Sequence, residues 1–597
     1  MLAEAKTIFD RLPQFHEPSR RTRVLLLSSL LVLSFTFKIF FVFLGSHYKE
    51  YLFSDMGAFW DHANARYEGA IFDINQWLAV PPFFHLMLFQ LFKLAAFLGL
   101  YGRRLELIHV VFIFLSTFSI MGVYQIIKQM TERFWITFLA AAFYAFCYPV
   151  IYFNSFILSE NLATPLLIVV IWIIFTFNGS ISWMFTAGLL FGVTVATRPV
   201  FGLVGLFFYL FILFAGRFSW KSLLRSISFS VAFGIFLFLV IAENHYISKG
   251  QIRGISGCQG TNLFMHFCQS RTLISTYPGY GGMAVFTAPV FFEQYPGEYG
   301  VFRTDKPIHD NKFFLEKAKD CIRENPHIWI DNLKLLTSSF NGPLFPTRRE
   351  VKGFSFWMPA FSILTIFLTL SIGLFYIVAP RNALWVGRMT VLLAPFFTTL
   401  LLSYFYITPE PRFLIPCLFG LYIVFFSLLP RLFQFWRTAA IYYAILILIF
   451  GLVGMENQRQ REISQKVFGV EKIKMYPLER VSRRKPNGTP GDEMGLFLIP
   501  TLKHAILLRA EKPRSAHTIE ISTDSGDSYQ LQFYLDGKHR GDLTLAAVLP
   551  AGGGTLARIL EMPAALRGQT FNQILVRPLQ GDGTYSLAYL VLEPANS

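Results

Sequence analysis

The chain has 597 residues, of which 54% are hydrophobic, 17% aromatic and only 15% charged. Soluble domains carry about 25% charged residues, so the composition excludes a soluble globular protein. The net charge of +16 fits basic anchors in loops as well as a surface that attracts anionic lipid or glycan, and charge alone does not separate the two. No Walker A loop, Rossmann glycine fingerprint or zinc-type Cys/His spacing occurs, which argues against nucleotide hydrolysis, and no nucleic-acid partner is expected.

Residues 1–23 are polar, and the apolar run that follows is too long for a cleavable signal peptide and lacks a small-residue cleavage site. Arg20, Arg21 and Arg23 directly precede that run and set the N-terminus on the cytoplasmic side. About 20 apolar residues cross a bilayer as a helix. On that measure about eleven spans are expected, near 24–45, 107–127, 134–152, 162–177, 183–197, 199–215, 223–246, 356–378, 389–407, 413–430 and 438–455. The alternate short loops then carry Lys128 and Arg133, Arg217, Lys221 and Arg225, Arg381 and Arg388, and Arg431 and Arg437, as the positive-inside bias requires. Residues 77–100 are also apolar but hold Pro81-Pro82, His85, Gln90 and Lys93. They read as a helix in the outer interface, because a further span would move every later basic loop outside. Residues 46–106, 248–355 and the tail from 456 then share the outer face.

Just after the first span stands Ser54-Asp55-Met56-Gly57-Ala58-Phe59-Trp60-Asp61. An Asp there serves as a helix cap, or as a base that takes a proton from an incoming hydroxyl at the lipid–water boundary. Asp61 about two turns on, the adjacent His62 and the interfacial helix behind them favour the second role for Asp55. Ser159-Glu160-Asn161 opens the fourth span, either as a cap or as an acid turned toward the bundle interior. Thr197-Arg198-Pro199 and Thr408-Pro409-Glu410-Pro411-Arg412 lie at span ends on that same face. An arginine there snorkels to the interface or binds an anion, for which the planar guanidinium is well shaped.

The loop 248–355 is rich in Gly, Pro and aromatics around 277–282, followed by helical stretches at 311–323 and 328–338. A loop of this length is a functional lid or a small domain. Of the five cysteines, Cys147 and Cys417 fall in spans as packing residues. Cys258, Cys268 and Cys321 share the outer loop, where a disulfide between the first two is one of the available pairings. From 456 the composition changes to a charged connector, up to about 490. Segments at 505–509, 518–522, 529–535, 571–577 and 586–593 then alternate apolar and polar between turns such as Asp536-Gly537-Lys538. That pattern predicts an antiparallel β-sandwich or jelly roll over 491–597.

The constellation over about 20–455 resembles the GT-C glycosyltransferases, in particular the bacterial branch related to protein O-mannosyltransferases and to the aminoarabinose transferase of lipid A. The likeness rests on the first-loop Ser-Asp-Met at Asp55, Val80-Pro81-Pro82-Phe83-Phe84-His85, Ser159-Glu160, Thr197-Arg198-Pro199, Glu324-Asn325-Pro326-His327 and Pro409-Glu410-Pro411-Arg412-Phe413. The family commonly shows Asp-Glu where this chain has Asp55-Met56, some members carry lysine where it has Val80, and the Trp-Trp-Asp signature of oligosaccharyltransferases is absent. The resemblance implies a catalytic membrane domain over 1–455 with an extracytoplasmic sandwich behind it, in a bacterial plasma membrane. It implies transfer of a sugar from a polyprenyl-phosphate carrier to an acceptor hydroxyl on a glycan, lipid or protein, with inversion. Asp55 would be the general base, and Arg198 and Arg412 would hold the carrier phosphate. Glu160, Glu410, Asp61, His62 and His85 would orient the sugar or a divalent ion, Mg or Mn. In the same layout a tethered sandwich would hold the acceptor glycan. Tyr529, Phe533, Tyr534, Tyr585 and Tyr589 are its candidate stacking faces, although their alternation along strands favours core packing for most. A transporter of a lipid-linked glycan is the competing reading, and it calls for charges buried at mid-membrane.

Overall fold

The computed structural model describes residues 17–52, 54–69, 81–250, 254–257, 259–267, 273–275, 284–286, 292–294, 302–304, 311–324, 329, 332, 357–406, 411–448, 472–478, 497–499, 502–524, 527–548, 555–581 and 585–593. The chain divides into two compact units, 1–259 with 327–442, and 260–326 with 443–597.

The first unit is helical. Helix α1 (Arg20–Phe40) is capped by Ser19, whose Oγ accepts the Thr22 N–H at 3.2 Å, and continues into the π turn Phe41–Gly45. Then come α2 (Ser54–Glu68), α3 (Pro82–Phe97), α4 (Arg104–Lys128), α5 (Phe134–Ala145), α6 (Tyr148–Phe153), α7 (Glu160–Thr176), α8 (Ile181–Thr197), α9 (Val204–Ala215) and α10 (Trp220–Ile247). Among the described residues, five helical stretches are long and apolar enough to cross a membrane: Arg20–Gly45, Tyr101–Lys128, Trp220–Tyr246, Ala383–Phe405 and Phe413–Gln434. Shorter apolar helices accompany them among the described residues, Pro82–Phe97, Phe134–Ala145, Glu160–Thr176, Ile181–Thr197, Pro199–Ala215 and Trp436–Leu448. Two of the expected spans are broken. The stretch 134–152 divides into α5 and α6, because Pro149 has no N–H to give the preceding turn. The stretch 356–378 breaks at Ser371, whose Oγ bonds the Phe367 carbonyl at 2.6 Å.

The first unit is membrane-embedded. Only 22% of the apolar window of Arg20–Gly45 is buried, against 72% of Phe413–Gln434, so the first lies at the rim and the last in the middle of the bundle. Val24, Leu25, Val32 and Leu33 on α1 and Phe238 and Leu239 on α10 point outward, a surface that hydrocarbon and not water would cover. Helices α8 and α10 pack closely because a Cβ at Gly188 would overlap the Phe229 carbonyl oxygen. Small residues bring helix backbones together in this way in membranes.

In the second unit, α11 (Gln259–Phe267) and α12 (Asn311–Glu324) are joined where Asn311 Oδ1 accepts the Gly260 N–H at 2.8 Å. Between them, β1 (Leu273–Ser275) pairs with β2 (Ala284–Phe286) and β3 (Phe292–Gln294) with β4 (Phe302–Thr304). The helices α13 (Trp357–Leu370), α14 (Ile372–Val378), α15 (Ala383–Phe405) and α16 (Leu418–Gln434) complete the first unit, and α17 (Trp436–Leu448) runs from it into the second. Within that bundle α15 meets α16 at Gly420, where a Cβ would strike the Leu392 carbonyl oxygen.

The C-terminal strands are β5 (Lys472–Pro477), β6 (Phe497–Ile499), β7 (His504–Arg514), β8 (Thr518–Asp524), β9 (Ser528–Leu535), β10 (Lys538–Leu545), β11 (Thr555–Glu561), β12 (Phe571–Gln580) and β13 (Tyr585–Glu593). They form a five-stranded sheet, β10-β9-β12-β7-β5, and a four-stranded sheet, β11-β8-β13-β6. Both sheets turn one face to a shared core that includes Ile506, Leu508, Ile519, Ile521, Leu531, Ile574 and Leu590. The β9–β10 hairpin turns at Asp536 and Gly537 with φ of 48° and 78°, the left-handed geometry that an Asp-Gly turn supplies. The sheet is not purely antiparallel: β5, taken from the charged connector, pairs in parallel with β7, Lys472 facing His504. Tyr529, Phe533 and Tyr585 are core residues, and Tyr534 packs on the opposite face of the larger sheet with Ala505, Leu507 and Leu575.

Candidate functional site

Helix α7 begins at Glu160, with its acid in the first turn, where the helix dipole favours negative charge. Ser159 stands at the N-cap without capping a backbone N–H. Its Oγ donates to Glu160 Oε2 at 3.2 Å and accepts from Arg198 Nη1 at 3.4 Å. Arg198 is the C-cap of α8, held extended (φ −146°, ψ 94°) because Pro199 disfavours the helical region in the residue before it. That turn aims the guanidinium at α7, and Arg198 Nη1 lies 2.7 Å from Glu160 Oε1, with side-chain exposures of 12% and 2%. The Phe413 ring, from the 3₁₀ turn Pro411–Cys417 that includes Arg412, sits 5.0 Å from the same guanidinium. Three segments far apart in sequence thus meet at one ion pair. Asn161 donates to the Phe153 and Phe156 carbonyls at 2.9 and 2.7 Å, which fixes the chain leading into Glu160.

Below this pair is a cavity of about 20 Å³, bordered by Glu160, Asn161, Ser116, Asn154, Tyr144 and Thr164. Asn154 Nδ2 donates to Val150 O at 3.0 Å and to Ser116 Oγ at 3.4 Å. Ser116 Oγ also accepts from Lys38 Nζ at 2.8 Å. Lys38 is fully buried inside the first membrane-spanning helix. The first span thereby brings an amine to Ser116, one of the residues that border the cavity. Sequence reasoning missed Lys38, Ser116 and Asn154.

Asp55 occupies the first turn of α2, partly buried. Asp61 does not share its face: six residues at about 100° each leave them about 120° apart, and Asp61 is exposed. His62, seven residues on, does share it, with Met56, Phe59 and Ala63 buried alongside. Phe59 meets Phe84 on α3, and the His62 and His85 rings stand 5.4 Å apart. Burial pushes His62 down to about 4, and burial with the nearby His62 and Arg66 holds His85 well below the ordinary imidazole range. Both imidazoles are therefore neutral at pH 7. The Arg104 guanidinium lies 5.1, 4.9 and 4.3 Å from the rings of Trp60, Phe92 and Tyr101, pinning α2 and α3 to α4.

The two groups are linked by aromatic contacts. Tyr51, just before α2, stacks on Phe156 with centroids 4.5 Å apart, and Phe156 O is held by Asn161. Helix α3 packs against α4 and α8, the helix that ends in Arg198. Glu410, Val80, Cys258, Cys268 and 325–327 lie outside the described residues, and Arg412 is placed by its backbone alone. Among the described residues no three His, Cys, Asp or Glu side chains gather as a metal site. Scanned against known families, the chain matches no family model, and a search of characterised proteins gives no significant match.

Proposed function

We propose that the protein is an integral-membrane glycosyltransferase of the GT-C type, moving a sugar from a polyprenyl-phosphate donor to an acceptor hydroxyl with inversion. The observation that carries the reading is the convergence on one buried ion pair of Ser159-Glu160, Thr197-Arg198-Pro199 and the turn bearing Arg412 and Phe413. In this account Asp55 is the general base, and Arg198 with Arg412 holds the carrier phosphate as it departs. The Glu160 pair keeps the Arg198 guanidinium aligned, while its buried Nε–H has no acceptor among the described residues and remains to be given to an anion. Glu160, His62 and His85, with Asp61 and Glu410 at the edge, orient the sugar.

In the same account the shorter apolar helices other than α3, together with the broken α13–α14 stretch, also cross the bilayer, which brings the spans to about eleven, and α3 lies in the interface. The site and the C-terminal sandwich then face the outside of a bacterial plasma membrane, where the sandwich would hold acceptor glycan. The fully buried Lys38 favours one other reading, a transporter of a lipid-linked glycan, because a charge inside a span marks translocation paths as well as catalytic sites. Incubation of the purified protein with radiolabelled polyprenyl-phosphate sugars separates the two. Release of free polyprenyl phosphate supports transfer, and movement of labelled lipid across the membrane without release supports transport.

A further inference from the structure

We propose that Lys38 is a positioning residue for Glu160, acting through Ser116, Asn154 and one water molecule bound in the cavity between them. The hydrogen-bond accounting leads there. Ser116 Oγ accepts from Lys38 Nζ at 2.8 Å and from Asn154 Nδ2 at 3.4 Å, which takes both its lone pairs and leaves its O–H to be given away. Asn154 is fully buried, and its Oδ1 has no partner among the described residues. Both side chains border the cavity that Glu160 also borders. Its volume of about 20 Å³ suits one water, since a site needs about 10–15 Å³ and two to four polar partners. A water there accepts from Ser116 O–H and donates to Asn154 Oδ1 and to the Glu160 carboxylate, which gives the Ser116 hydroxyl and Asn154 Oδ1 their partners.

The consequence is a single unit running from Lys38 through Ser116 and the water to Glu160 and on to Arg198. Lys38 and Glu160 make no direct contact among those described. The Lys38 amine orients the Ser116 hydroxyl, and the hydroxyl orients the water. The water fixes the carboxylate rotamer that holds Arg198, the group assigned to the donor phosphate. The effect on turnover rests on the transferase reading; the linkage itself does not.

The test is a double-mutant cycle in the full-length protein with Lys38→Met, Glu160→Gln and the double variant. Turnover of polyprenyl-phosphate sugar is followed as kcat and KM, and thermal unfolding is followed in parallel. Displacing a positioned group by about 1 Å costs up to about a hundredfold in rate, so Lys38→Met should lower kcat/KM by about tenfold or more, mostly in KM for the donor. The double variant should be no worse than the worse single, because both changes cut one chain. Ser116→Ala, which leaves Lys38 and Glu160 in place, should reproduce Lys38→Met and guards against a folding defect peculiar to the lysine. Losses that multiply would overturn the linkage. Should wild type turn over no donor, the transferase reading fails by itself, and the cycle is read in the unfolding midpoints. Midpoint shifts that fall short of their sum would uphold the linkage, and shifts that add would refute it.

Discussion

Removing one member of the Glu160–Arg198 pair should be far more damaging than removing both. The carboxylate is 2% exposed and the guanidinium 12%, with 2.7 Å between Oε1 and Nη1. At that depth water screens little, and the partner left behind keeps its full desolvation penalty. Glu160→Leu alone, or Arg198→Met alone, should therefore cost about 3–5 kcal/mol, the range for breaking buried pairs. Among the described residues Arg198 then retains the Ser159 hydroxyl at 3.4 Å and the Phe413 face at 5.0 Å, neither of which replaces a carboxylate. The double variant Glu160→Leu/Arg198→Met fills similar volume with apolar atoms and should fall within about 1–2 kcal/mol of wild type, as paired replacement of buried ions often does. Denaturant titration of the detergent-solubilised protein, followed by far-ultraviolet circular dichroism, measures all three. Singles within about 1 kcal/mol of wild type would mean that the pair is solvated, and the argument from its burial would collapse.

The histidine pair gives a pH signature. His62 takes up a proton near pH 6.5 when unfolded and only near 4 when folded, and His85 also stays well below 6.5 in the fold. The unfolded chain thus binds more protons throughout that window, so stability should be full above about pH 6.5 and fall as the pH drops toward 4. His62 alone accounts for about 3 kcal/mol of that loss. Unfolding curves for His62→Gln should be flatter over the same range, and an unchanged pH slope would refute the assignment. At the α8–α10 crossing, Gly188→Ala should destabilise by about 1–3 kcal/mol, since its Cβ meets the Phe229 carbonyl. Gly234→Ala on the same α10 meets nothing within 4 Å and should be neutral or stabilising by about 0.5–1 kcal/mol. Thermal unfolding of the two variants compares them directly. In the C-terminal sandwich, Phe533→Ala empties a fully buried core position and should cost about 3–5 kcal/mol. Ile559→Ala at 73% exposure should change stability by less than about 0.5 kcal/mol. Protease resistance of the C-terminal region reports both.

Strands were readable where alternation and burial agree. Tyr529, Leu531 and Phe533 face the core at every second residue, and β9 runs over Ser528–Leu535, close to the expected 529–535. The next strand, Lys538–Leu545, reads Lys-His-Arg-Gly-Asp-Leu-Thr-Leu and lies at the sheet edge, where little burial writes itself into the sequence. The strand Lys472–Pro477 was hidden in a charged connector, although Ile473 and Met475 alternate within it. In the site, the acid and base motifs stand out because a charge at a span end is conspicuous. Their pairing does not: only the fold brings Arg198 to Glu160, and only helix geometry puts His62 instead of Asp61 on the face of α2 that carries Asp55. Lys38 stands alone in an apolar run and draws no attention in the sequence. The overlooked signal is spacing, since Leu30, Ser34 and Lys38 recur every four residues on the buried face of α1.

The central claim stands or falls on donor turnover by the purified protein in nanodiscs, for wild type and Asp55→Asn, against a panel of radiolabelled polyprenyl-phosphate sugars. The account predicts release of polyprenyl phosphate from one donor by the wild type and its loss in Asp55→Asn, with folding and donor binding unchanged. Turnover undiminished in the variant would remove Asp55 as the base, and no release from any donor with membrane acceptors present would contradict the transferase reading itself.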